Sequence, residues 1–262
     1  MARIFNSIRQ RLLKENRMTR YLVYAVGEIF LVMIGILLAL QVNNWNTARS
    51  ERHKEVKYLR SLKHDLQVDL VNLHEMIDLR RKKTNTAIAL LSFTLSKDAR
   101  GILAMDSMVW VVFGWKDYHP RTNTLKELTN TGDLGLIRSD SIKAILLDIE
   151  QANAELVTSV AHMRREYDEY LYDRAALLRE QSPFRDIRAS YEQLRAVNDT
   201  VATAERTQEL TRQSEEFLKD RMVRNGLRLA AGNNSYIRGQ YESILSDTQR
   251  LIALIDKDLN TP

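Results

Sequence analysis

Residues 21–40 read YLVYAVGEIFLVMIGILLAL, twenty residues whose single charge is Glu28. At 1.5 Å per residue such a helix is about 30 Å long, close to the thickness of a bilayer's hydrocarbon core. The stretch reads as a transmembrane helix. Before it stand Arg3, Arg9, Arg11, Lys14, Arg17 and Arg20 against Glu15 alone. The chain has 39 basic and 34 acidic residues; six and one of these precede residue 21, leaving 33 of each, so the remainder is neutral. The excess positive charge therefore belongs to a membrane-flanking arm, and a nucleic-acid-binding surface is not expected.

A cleaved signal peptide competes for the same segment. Its apolar core is shorter, about 7–15 residues, and is followed by a small-x-small cleavage site. Here Gln41-Val42-Asn43-Asn44-Trp45 follows instead, so the helix is expected to stay as an anchor. Orientation rests on less, because Arg49, Arg52, Lys54, Lys57 and Arg60 also flank the far end. A short N-terminal arm and a long C-terminal domain that can translocate regardless of charge favour N-terminus in, C-terminus out. Tyr21 and Tyr24 at one end and Trp45 at the other occupy the levels of aromatic interface anchors. In the arm, Ile4, Phe5, Ile8, Leu12 and Leu13 recur at helical spacing among the basic residues. That pattern suits an amphipathic helix lying on anionic lipid; a basic topology determinant without defined structure is the plainer reading.

Cysteine is absent, which excludes disulfides, thiol nucleophiles and thiolate metal sites. An outward-facing domain of this size without disulfides fits a bacterial periplasm better than the eukaryotic secretory pathway. Nine Gly and three Pro in 262 residues leave long unbroken stretches, and helical periodicity fills them. From Val56, apolar residues recur at Leu59, Leu62, Leu66, Leu70, Leu73 and Ile77, one stripe of a long helix that can run on from the span. The run 109–113 reads equally as a short strand or as buried helix. A loop at Gly114–Pro120, a short helix near 124–130, a turn through Gly132 and Gly135, and a long helix capped by Ser139 or Asp140 and reaching about 180 follow. Beyond Pro183 the pattern predicts a short helix near 187–197, a polar stretch at 198–207, and two last helices at 209–231 and 236–259. The expected fold is all-α: a basic arm (1–20), a span (21–45) and an antiparallel helical bundle outside the membrane (46–262).

Gly27-Glu28-Ile29, then Ile34-Gly35-Ile36-Leu37-Leu38-Ala39-Leu40-Gln41-Val42-Asn43-Asn44-Trp45-Asn46, resembles the signature of a large family of uncharacterised bacterial membrane proteins common in Bacteroidota and related phyla. Residues 125–147, with Leu128, Gly132-Asp133-Leu134 and Leu136-Ile137-Arg138, look like that family's looser mid-domain motif. The resemblance implies a basic start, one span and a helical extracytoplasmic domain. It carries no activity and no functional residue.

Within the span, Tyr24, Glu28, Gly35, Ala39 and Val42 fall close to one line at 100° per residue. An ionisable group with a small-xxx-small pair beside it makes a helix-packing face, with Glu28 protonated or paired to a partner's donor. The bland alternative is a Glu28 that snorkels to the near interface. Gln41, Asn43, Asn44 and Asn46 serve as a polar exit from the bilayer, or as a partner contact. Arg80-Arg81-Lys82-Lys83 is the densest basic run beyond the arm, and by default is a solvated helix face, with an acidic partner surface as the alternative. None of His53, His64, His74, His119 and His162 stands in a metal-site spacing, and the span holds no histidine to ligate a pigment or haem. No P-loop, Rossmann or nucleophile-elbow motif occurs. Trp110, Trp115 and Tyr118 suit core packing near a loop, or a pocket wall.

No metal, cofactor or catalytic group is expected. The leading expectation is a non-enzymatic accessory or scaffolding subunit of a larger membrane assembly, a photosynthetic or respiratory complex being the kind of host. Its partners are other membrane subunits and, at the arm, anionic lipid, with a homo-oligomer as a further possibility. A periplasmic sensor or ligand-binding module acting through a separate partner is the alternative.

Overall fold

The computed structural model describes residues 17–180 and 204–261. The arm with Arg3, Arg9, Arg11 and Lys14, and the helix expected at 187–197, lie outside the described residues. The described residues are mostly helical, without strands, and the fold is all-α. They form α1 (Arg17–Leu91), α2 (Ala99–Phe113), α3 (Asn123–Thr131), a 3₁₀ turn (Asp133–Leu136), α4 (Asp140–Tyr167), a π-turn (Asp168–Tyr172), α5 (Asp173–Leu178), α6 (Ala204–Lys219) and α7 (Arg221–Leu259). The chain divides into two compact units, Met1–Lys57 and Tyr58–Pro262.

In the first unit, α1 is apolar and exposed. It is the one described helix long and apolar enough to cross a membrane, with a mean hydropathy of 2.3 in its most apolar window and none of that window buried.

The second unit is a bundle whose three long members are the C-terminal part of α1, α4 and α7. Their directions follow from paired contacts. Lys63 pairs with Asp256 at 2.6 Å, and Arg80 with Asn234 at 3.1 Å, so α7 runs back along α1. Gln240 donates to Ser159 and Asn234 to Tyr167, so α7 also runs antiparallel to α4. On α7 the buried positions Val223, Gly226/Leu227, Ala230, Asn234, Ile237, Tyr241, Ile244, Thr248, Leu251 and Ile255 advance by threes and fours, the seam that packs long helices side by side. Facing it are Leu59, Leu62, Leu66, Leu73, Met76, Ile77, Ala87 and Leu90 of α1 and Ile142, Ile145, Leu146, Ile149, Leu156 and Met163 of α4.

Most boundaries have visible causes. Ser139 accepts from the Ile142 amide and caps α4, and Asp98 accepts from Gly101 N at 2.8 Å and caps α2. Residues 109–113 are the end of α2, which settles the strand-or-helix ambiguity in favour of helix. Gly132 has φ +75°, the left-handed conformation that ends α3 at low cost only for glycine. The start of α3 is held in trans: Thr122 makes no side-chain cap, and Asp65 of α1 accepts from the Thr124 hydroxyl at 2.6 Å and its amide at 3.4 Å. One turn on, Asp69 accepts from the Arg121 amide with both oxygens, at 3.1 and 3.0 Å. Asp69 is therefore buried in the α1 stripe, where Leu70 was expected and is only half-buried.

The C-terminal helices divide elsewhere than the sequence suggested. A break was expected at Gly232-Asn233-Asn234, yet α7 runs through it unbroken, and the break falls at Asp220. Asp220 caps α7 through the Val223 amide at 3.0 Å and takes Arg174 of α5 at 2.7 Å. Asn234 is helical because its side chain is fully buried and bonded, and so does not compete for the backbone as a free Asn would. α6 starts at Ala204, inside the stretch expected to be polar.

Candidate functional site

On α1 of the first unit, Tyr24, Glu28, Gly35, Ala39 and Val42 are all exposed, as are Tyr21 and Trp45. A Cβ built on Gly35 meets nothing within 4 Å. Beside this face lies a shallow groove of Ala25, Ile29, Val32, Met33, Ile36 and Leu37, with Glu28 on its border. The Arg49 guanidinium lies 5.8 Å from the Trp45 ring centre. Arg17 and Arg20 belong to α1.

In the second unit the structure assembles a site that the sequence did not announce. Arg80 and Lys83 are each 1% exposed, while Arg81 and Lys82 face solvent. The run is thus not a solvated face. Consecutive helical residues point four ways, and the stripe of Leu73, Met76 and Ile77 continues by threes and fours into Arg80, Lys83, Thr84 and Ala87. The two cations are folded into a nest of aromatic rings. Trp115 of the α2–α3 loop has Arg80 at 5.7 Å, Lys83 at 5.2 Å and Arg164 of α4 at 4.7 Å from its ring centre. Lys83 is also 5.1 Å from the Tyr167 ring, and Arg164 5.7 Å from Tyr172. Such contacts are attractive, the more so when the cation is desolvated.

The π-turn builds the nest. Its i→i+5 bond, Asp173 N–H to Asp168 O, brings Tyr167 and Tyr172 one above the other, with ring centres 5.8 Å apart. Trp115 packs edge-on to Tyr167 at 5.5 Å, and Tyr172 donates to the Phe113 carbonyl at 2.6 Å, tying the turn to the end of α2. Gly226 lets α7 approach closely here: a Cβ would come within 2.8–3.0 Å of Leu171 and Tyr170 side-chain atoms.

The polar accounting of the nest is incomplete. Arg80 Nη1 donates to Asn234 Oδ1 at 3.1 Å and touches Met163 Sδ at 4.0 Å. Asn234 in turn donates to Tyr167 Oη at 2.9 Å and to Ala230 O at 2.7 Å. Arg80 Nε and Nη2 and Lys83 Nζ are buried with no hydrogen-bond partner. Arg164 has Asp168 at 3.4 Å; among the described residues no carboxylate pairs with Arg80 or Lys83. Burial, helped by the charges of Arg80 and Arg164, pulls the Lys83 ammonium down to about 7. Burial pushes the Tyr167 phenol up to about 12 and raises Tyr241 and Tyr118 as well.

Trp115 also forms one wall of a cavity of about 540 Å³. Tyr118, Tyr241, Leu156, Val157 and Val160 give it an apolar and aromatic lining, and Arg164 is its cation. Asn153 lies in the wall with a buried, unpartnered Oδ1. Glu150 stands exposed at the rim, His119 lines it too, and Asp117 is taken up by Trp115 Nε1 at 2.7 Å. Trp115 and Tyr118 thus pack against the core as well as forming the pocket wall, while Trp110 is 45% exposed on α2.

His162 contacts Glu166 at 3.1 Å, and among the described residues no three His, Cys, Asp or Glu side chains converge as for a metal ion. No curated protein and no solved structure matches the chain. Residues 28–173 match a family of unknown function (DUF6090), which covers more than half of the chain, and the protein belongs to that family.

Proposed function

We propose that this protein is a single-span component of a bacterial inner membrane, with its N-terminus cytoplasmic and its bundle periplasmic. It works as a non-enzymatic accessory subunit that docks on a larger membrane complex. The observation that carries this reading is Glu28: one carboxylate on a fully exposed apolar helix, beside Gly35 and Ala39 on the same side. A carboxyl group in hydrocarbon is costly unless another span or water meets it, and small residues nearby let a second helix approach. The occupant is therefore a helix of another membrane protein that offers a hydrogen-bond donor to Glu28. The basic arm favours the inner leaflet, where it meets anionic lipid.

Purification of tagged protein from native membranes in mild detergent tests the reading. The expected result is a set of membrane subunits at fixed ratio with the wild type, lost from Glu28→Leu and Gly35→Leu although both variants still insert. Recovery alone, only as a homo-oligomer, or with unchanged partners in both variants contradicts it.

A second reading is supported by a separate observation. The cation–aromatic nest and the cavity against it suit a bundle that binds a small molecule and reports through a partner.

A further inference from the structure

We propose that the cavity beside Trp115 is a binding site for a small carboxylate with an aromatic or branched apolar body. This deepens the second reading above and is independent of span docking.

Three features select that class. The walls are apolar and aromatic, so most of the occupant's surface is hydrocarbon. The cationic group in the wall is the Arg164 guanidinium, which lies over the Trp115 ring and offers a planar fork suited to one carboxylate. A phosphate or sulfate, with more charge and more acceptors, would set several of its oxygens against the apolar walls. Behind Trp115, Arg80 and Lys83 add positive charge that no carboxylate of the described residues pairs with. In a low-dielectric interior that field reaches an anion in the cavity far better than it would through water.

The negative groups near it are all exposed, where water screens them: Asp117, which accepts from Trp115 Nε1 and keeps its charge, Glu150, and Asp168, which faces Arg164 at the length of a loose pair. An incoming carboxylate competes with Asp168 for a guanidinium that is about half exposed. Asn153 Oδ1, buried and unpartnered in the wall, gives the occupant's body one acceptor for a donor group.

The test uses the full chain in detergent, with Trp45→Phe and Trp110→Phe so that Trp115 is the one emitter of the three tryptophans. Acetate, isovalerate, benzoate and phenylacetate are titrated to about 10 mM, where even a millimolar site fills. Benzamide and inorganic sulfate serve as the neutral and the tetrahedral controls. The expected result is a saturable change in Trp115 fluorescence and a rise in melting temperature with the carboxylates of larger body. Arg164→Met should weaken both by about tenfold or more, as loss of a charge-assisted bond does. Val157→Phe, which fills the cavity from an exposed position and adds no second indole, should abolish them while the variant melts normally. Glu28→Leu should leave both unchanged, which separates this site from docking. No response to any carboxylate, equal response to benzamide, a sulfate response as strong as benzoate's, or an unaltered response in Arg164→Met would each overturn the proposal.

Discussion

Among the described residues two places in the bundle bury an arginine, and they treat it differently. Arg179, just past α5, is 9% exposed and meets Asp106 of α2, itself 5% exposed, in a direct ion pair, with the Phe217 ring 5.5 Å from the guanidinium. Arg80, with Lys83 one turn on, has an amide, a thioether and aromatic faces, and no carboxylate. At Arg179 the chain supplies the counter-charge itself, and the pair ties α2 to the end of α5, although Arg179 Nη1 and Asp106 Oδ2 stay buried without a hydrogen-bond partner. At Arg80 the folded chain carries positive charge into its interior and leaves three donor atoms open, an arrangement costly to fold and useful to bind with. Asp69 is an intermediate case, a buried carboxylate satisfied by the Arg121 backbone amide.

The difference can be broken at its strong end first. Asp106→Ala leaves Arg179 buried and unpaired and should cost about 3–5 kcal/mol in chemical denaturation, while Asp106→Leu with Arg179→Met should recover most of it. An equally large loss in the double variant would mean that the pair does not act as a unit. Next in size, Asn234→Ala removes the Oδ1 acceptor of Arg80 and the donor to Tyr167, and about 2–3 kcal/mol should go. In an Arg80→Met background the same change should cost distinctly less, because the guanidinium is no longer stranded; an unchanged cost would uncouple the two residues.

Asp69 sharpens the comparison through pH. Burial raises its carboxyl to about 6 against an ordinary 3.8. The folded state then holds the proton more tightly than the unfolded one, so the group favours folding most below about pH 4 and loses that contribution as pH rises through 6. Relative to Asp69→Asn, the wild type should lose up to about 2–3 kcal/mol between pH 4 and 6. A flat difference would show that the Arg121 amide, which acts the other way, cancels the effect of burial.

Much of the bundle was legible in the sequence because its signals are periodic or local. The α1 stripe, the Ser139 cap and the Gly132 turn are each fixed by a few neighbouring residues, and they lie where those residues put them. The nest was not legible, for three reasons. A run of four cations looks solvated until the stripe of Leu73, Met76 and Ile77 is carried forward by three, which lands on Arg80 and then Lys83. The rings that receive those cations come from the α2–α3 loop, α4 and the π-turn, and no spacing along the chain announces that they meet. Gly232-Asn233-Asn234 carries turn chemistry, which buried hydrogen bonds of Asn234 to α1 and α4 override. Glu28 is the reverse case, conspicuous in the sequence because its meaning needs only the helix it sits on.

The charge left open around Trp115 is tested most directly by the stability of Lys83→Met against wild type from pH 6 to 10, in buffers free of organic acids. Lys83 sits at about 7 in the fold against an ordinary 10.5, so the buried ammonium opposes folding fully below pH 7, and the penalty disappears as pH rises toward 10. The account predicts that the methionine variant is the more stable at pH 6, by of order 2 kcal/mol, with an advantage that shrinks steadily as the wild-type amine loses its proton. A variant less stable at pH 6, with a difference that does not change with pH, would mean that Lys83 is compensated in the fold and that no positive charge is left open there.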